Sequence, residues 1–172
     1  MTSSGSLLRG VLSLVESMGG RLEHRIRLQK SAYLLQRLGL TDFEEAPFKY
    51  HHYGPYSRWI SDTLQDAISA KFLIEEQEGR PDGGMKYTYV VTEKGLAWLG
   101  KRADRIDRRI HELGPVLRDE DWRSLELAAT ALFLQDDEEL AAQPAMERAL
   151  ELKPACIPHR QKAEQLLQRL GF

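Results

Sequence analysis

The chain has 172 residues, of which 42% are hydrophobic and 29% charged, with a net charge of −2 and an isoelectric point near 6.2. That length suffices for one ordinary core with a helical appendix, and a mean hydropathy of −0.46 predicts a globular protein without low-complexity segments. Near-neutral charge excludes a global attraction to nucleic acid or anionic membrane, so any such binding must rest on a local patch, and the single cysteine, Cys156, excludes an internal disulfide.

In chain order, Leu7, Leu8, Val11, Leu12, Val15 and Met18 fall at helical spacing, and Gly19-Gly20 stop that helix. Arg9 and Glu16 interrupt the apolar run, which reads as neither a signal segment nor a membrane span; no membrane partner and a cytoplasmic location are expected. A second helix starts near Ile26, carries Leu28, Ala32, Leu35 and Leu38, and stops at Gly39. An aromatic strand with Phe48, Tyr50 and His52 is broken by Tyr53-Gly54-Pro55-Tyr56-Ser57. Ser57 is expected to cap a third helix whose buried face holds Trp59, Ile60, Thr63, Leu64, Ala67 and Ile68. Residues 73–91 read as a β-hairpin turning at Arg80-Pro81-Asp82-Gly83-Gly84, which would be the wing of a winged helix-turn-helix.

Thr92 should cap a long helix over 93–113. Its apolar seam of Leu96, Leu99, Ala103, Ile106, Ile110 and Leu113 could pack on its own domain or form a homodimer with a second copy. Gly114-Pro115 end that helix and mark a boundary between a winged-helix-like domain, 1–113, and a C-terminal helical bundle, 114–172, with helices over 121–135, 144–152 and 158–170. The expected fold is mainly α with a small β-hairpin, a winged helix-turn-helix-like domain plus a C-terminal helical extension.

Chemistry-bearing patterns are sparse. Cys156 and His159 have half the spacing of a zinc site with no second half, and read as an exposed turn. His51, His52, Ser57 and Asp62 do not make a nucleophilic set: strand alternation sends the histidines to opposite faces and Ser57 is already a cap. Gly83-Gly84 lie in a hairpin turn, not between a strand and a helix, so they cradle no phosphate. No catalytic residue, cofactor or metal ligand is assigned, and the protein is expected not to be an enzyme.

Charge is distributed unevenly. Between 21 and 37 five basic residues face one acid, and between 94 and 111 six face two. The third helix and wing, 57–86, carry only Arg58, Lys71, Arg80 and Lys86 against six carboxylates, the wrong sign for insertion into a DNA groove. Between 118 and 139 eight carboxylates face two arginines, in part because carboxylates favour helix N-termini. If DNA is the ligand, the contacts should come from Arg25, Arg27, Lys30, Arg58, Arg80 and Lys86. If a protein is the ligand, the corner with His51, His52, Tyr53 and Tyr56 offers amphipathic rings.

Taken together, Arg27-Leu28-Gln29-Lys30-Ser31-Ala32-Tyr33-Leu34-Leu35, then Phe48-Lys49-Tyr50 through Tyr53-Gly54-Pro55-Tyr56-Ser57, then Val91-Thr92-Glu93-Lys94-Gly95 resemble the YwgA-like proteins, related in pattern to the Panacea domain of SocA-like antitoxins. Leu125-Glu126-Leu127-Ala128-Ala129-Thr130-Ala131 and the 150–154 string resemble them too. The resemblance implies a winged-helix-like bacterial protein associated with phage defence, mobile elements or toxin control, with no catalytic residue. The resulting expectation is a regulatory module that binds DNA or a partner protein, or, alternatively, an accessory subunit or enzyme component of a defence system.

Overall fold

The computed structural model describes residues 4–172. Helix α1 (Gly5–Ser17) opens on Ser4, whose hydroxyl accepts the Leu7 N–H at 3.2 Å, and buries Leu7, Val11, Leu12, Leu14 and Val15. Gly19 and Gly20 both sit at positive φ, +86° and +80°, and this double left-handed step turns the chain straight into a short strand, β1 (Arg21–Glu23). Helix α2 (Arg25–Arg37) follows, then an antiparallel pair, β2 (Lys49–His51) and β3 (Gly54–Tyr56), and helix α3 (Arg58–Ser69). The expected hairpin is present as β4 (Leu73–Gly79) and β5 (Met85–Val91), and Thr92 accepts the Gly95 N–H at 3.0 Å to start α4 (Glu93–Gly100).

The three-stranded sheet has the order β1-β5-β4, all antiparallel, with Leu22 opposite Tyr89 at its buried centre. Nothing in the sequence marks β1, because three residues with one apolar side chain carry no readable alternation. Tyr53 to Ser57 reads as a break in the sequence, whereas Gly54–Tyr56 returns along β2 as a strand.

The helix expected over 93–113 is two helices. α4 stops at Gly100, a 3-10 turn spans Ala103–Arg105, and α5 (Arg109–Asp119) runs on through Gly114 and Pro115, where the sequence predicts a helix end. The expected seam therefore does not lie on one helix: Leu99 and Ile110 are in the core, Ile106 and Leu113 pack against it, and Leu96 is exposed. Pro115 forgoes the bond to the carbonyl four residues back, and Gly114 lets α5 approach α1, since a Cβ there would meet Ser17 Cβ and stand 3.0 Å from its carbonyl carbon.

Helix α6 (Trp122–Asp137), capped by Asp121, is buried along most of its length and packs on α2 and β3 as well as on α7 (Ala142–Leu152) and α8 (Arg160–Leu170). One continuous core runs from α1 through α2 and α6 to α8. Among the described residues no helix is long and apolar enough to cross a membrane.

Gly114→Ala should lower stability by about 1–3 kcal/mol in urea unfolding despite alanine's better helix propensity, because overpacking against Ser17 outweighs it.

Candidate functional site

Two adjacent side chains of α2 fix the β2–β3 hairpin. The Gln29 amide donates to the Ser57 carbonyl at 2.9 Å and accepts the Ser57 N–H at 2.9 Å, while Lys30 Nζ donates to the Pro55 carbonyl at 2.8 Å. From the other side, Lys153 Nζ donates to the His52 carbonyl at 2.9 Å and pairs with Glu126 of α6 at 2.7 Å. Lys30, Glu126 and Lys153 are all buried, so three formal charges lie beneath one small hairpin. Gly54 closes the arrangement: at φ +86° it lies so near α6 that a Cβ would overlap Thr130 Oγ1.

Around this hairpin are two adjoining clefts. The first, of about 360 Å³, lies between α2, α3 and the hairpin, with Gln29, Lys30, His51, Tyr53, Tyr56 and Asp62 in its wall. The second, of about 580 Å³, lies on the far side of His51 and Tyr56 and is walled by Tyr50, Arg58 and Trp59. Three large aromatic side chains are exposed here: Tyr50 at 41%, Tyr53 at 52% and Trp59 at 39%.

Ser57 makes no side-chain cap; its hydroxyl is buried without a partner, and its backbone is held by Gln29 instead. Trp59 faces solvent, leaving Ile60, Thr63, Leu64 and Ala67 as the buried stripe of α3. His51 and His52 do not diverge, because His52 lies in the turn rather than the strand: their ring centroids are 4.8 Å apart, and His51 lies 5.2 Å from Tyr56. The Tyr56 hydroxyl is within 3.0 Å of Ser61 Oγ. Cys156 is buried, its Sγ 3.9 Å from Glu126 Oε2, and burial raises its thiol pKa; His159 instead contacts Asp121 at 2.9 Å.

The six candidate DNA contacts are not brought together as one free basic face. Lys30 is 2% exposed and committed to Pro55. Arg27 donates to the Leu117 and Glu120 carbonyls at the end of α5, both at 2.6 Å. Arg25 reaches Tyr89 Oη at 2.7 Å and Glu75 at 3.1 Å, and stacks over Tyr87. Lys86 pairs with Glu23 at 2.8 Å and Arg80 with Asp82 at 3.3 Å. Arg58 is the freest, 84% exposed by its side chain and 3.6 Å from Asp62. Two further bases of these runs are engaged within the fold, Arg109 donating to the Leu38 carbonyl at the end of α2 and Arg37 pairing with Asp136, while Lys101, Arg105 and Arg108 are exposed.

Gln29, Glu126, Thr130 and Lys153 were not singled out from sequence. A signal existed for two of them: Glu126 is a lone carboxylate in an apolar run, and Lys153 directly follows the apolar Leu150 and Leu152 stripe. Burial carries Lys30 far below its ordinary value of 10.5, to about 7, with Glu126 drawing it up and Lys153 pushing it further down.

The chain is 30% identical over 133 residues to the uncharacterized protein YwgA of Bacillus subtilis (strain 168), a match that covers 74% of this chain and 76% of that protein. No family model matches the chain.

Two outcomes follow from this geometry. Gly54→Ala should cost about 2 kcal/mol or more in urea unfolding, and Thr130→Ala in the same chain should return part of it, since the Thr130 hydroxyl has no partner to lose. For Lys30, the unfolded chain holds a proton that the folded chain lacks between about pH 7 and 10.5, so stability rises with pH across that window by up to about 1.4 kcal/mol per unit. Lys30→Met should remove that slope, read as the difference between wild type and variant in urea midpoints at pH 7 and pH 9.

Proposed function

The chain belongs to the YwgA family, and we propose, from the surface of the chain itself, that it is a non-catalytic regulatory module of winged-helix type that holds a partner protein at the β2–β3 hairpin and the start of α3. The observation that carries this reading is the grouping of Tyr50, Tyr53 and Trp59, all exposed, around two adjoining clefts with Arg58 at the rim. Trp, Tyr and Arg are the residues that most often dominate binding energy at protein interfaces, and solvent exposure of several large rings in one patch is otherwise unfavourable. The winged-helix frame is supported by the element order α1-β1-α2-α3-β4-β5 and by β1 pairing with the last strand, with the β2–β3 hairpin as an insertion before α3. Here the hairpin and α3 would meet the partner.

DNA is the less favoured ligand because Arg25, Arg27, Lys30, Arg80 and Lys86 already have partners within the chain, and the third helix and wing carry exposed Asp62, Glu76 and Glu78. The one observation in its favour is Arg58, exposed at the start of α3. The resemblance of Tyr53-Gly54-Pro55-Tyr56-Ser57 and its neighbours to the Panacea domain points toward a protein partner and toward toxin control or phage defence, with a role as accessory subunit in the same setting.

Trp59→Ala with Tyr53→Ala should leave the melting temperature nearly unchanged, because both rings are exposed, and should weaken retention of a captured partner by about 10-fold or more. Partner capture from source-cell extract by wild-type bait, undiminished in the double variant, would remove this surface from the reading. DNA binding that falls steeply with salt and is lost in Arg58→Ala would favour the other ligand.

A further inference from the structure

We propose that the cleft between α2, α3 and the hairpin is a carboxylate-binding site, with Lys30 as its cation, and that it accepts an Asp or Glu side chain from an acidic segment of the partner protein. This deepens the protein-binding reading and rests on it for the source of the carboxylate.

The charge balance under the hairpin is the first observation. Two buried ammonium groups, Lys30 and Lys153, share a single buried carboxylate, Glu126. Glu126 is committed: it contacts Lys153 at 2.7 Å through one oxygen and faces Cys156 Sγ with the other. Lys30 is left with one neutral acceptor, the Pro55 carbonyl, and among the described residues no carboxylate lies within ion-pair distance of it. A protonated Lys30 has three donors, and its burial is relieved either by loss of the proton or by a gained counter-charge.

The second observation is that Lys30 also borders a cleft. Lys30, itself 2% exposed, is one of the residues lining the 360 Å³ cleft, which is at the small end of the range of ligand sites. The other charged or titratable groups along that wall are already engaged or at the mouth. Arg25 is held by Tyr89 and Glu75, Asp62 faces Arg58, and Tyr56 is bonded to Ser61. His51 and Tyr53 are exposed at the entrance. A monoanion matches the single uncompensated cation, whereas a phosphate dianion would leave a buried excess of negative charge close to Asp62. Burial holds the free amine to about 7, so a bound carboxylate must raise that value, and binding above neutrality takes up a proton.

The test follows the Lys30 side-chain amine by NMR across pH in the wild-type chain, its signal identified by its loss in Lys30→Met or, should that variant not fold, in Lys30→Arg. Titrations are run in sodium chloride, sodium acetate and sodium phosphate at equal ionic strength, and with the blocked peptides acetyl-Ala-Glu-Ala-amide and acetyl-Ala-Gln-Ala-amide. Acetate and the Glu peptide should move the Lys30 midpoint up by on the order of one pH unit relative to chloride, and the Gln peptide should not. A midpoint that acetate leaves where chloride does, or that phosphate moves further than acetate, overturns the carboxylate site. A response to acetate with none to the Glu peptide overturns the peptide as its source. No partner protein enters these titrations, so they can fail while the Trp59 and Tyr53 surface stands, and the reverse.

Discussion

The fixation of one hairpin by the Gln29-Lys30 pair is the constraint on which the rest depends. A side-chain amide that both donates to and accepts from the backbone of Ser57 copies the pairing of a neighbouring strand, so α2 treats the end of β3 as if it were part of a ladder. With Lys30 on Pro55 and Lys153 on His52, four backbone groups between His52 and Ser57 find partners on α2 and on the segment after α7, far apart in sequence. The hairpin thereby becomes a rigid platform although its own strands span only Lys49–His51 and Gly54–Tyr56.

That dependence unites the two halves of the chain. α6 supplies Glu126 and the close approach to Gly54, and the segment after α7 supplies Lys153; without them the face that α2 and the hairpin present would have no backing. The C-terminal helices therefore support the clefts as well as closing the core, and the boundary expected near residue 114 crosses a helix rather than a linker.

Local pattern carried the helices, the β4–β5 hairpin and the Thr92 cap, because amphipathic spacing and capping chemistry are properties of neighbouring residues. It could not carry β1, whose register is imposed by β5, or the division of the 93–113 segment, where alternating steps of three and four survive across a turn. Net charge by segment misled at the bases: Arg27 and Arg109 count as surface charge in a sequence but serve as caps for helix ends from other parts of the chain. The aromatic corner was legible as a motif; that Lys30 and Gln29 of a helix many residues earlier hold it was not, since a polar residue on a helix reads as solvated until its partner is known.

The carboxylates of β4 have a consequence for the protein's behaviour at high concentration. β4 lies at one edge of the three-stranded sheet, with β5 on one side and, among the described residues, no strand on the other. An open edge of seven residues is long enough to recruit the same strand from another molecule. Glu75, Glu76 and Glu78 along it make such an addition bring like charges together, so the sheet carries its own protection against growing into an intermolecular one.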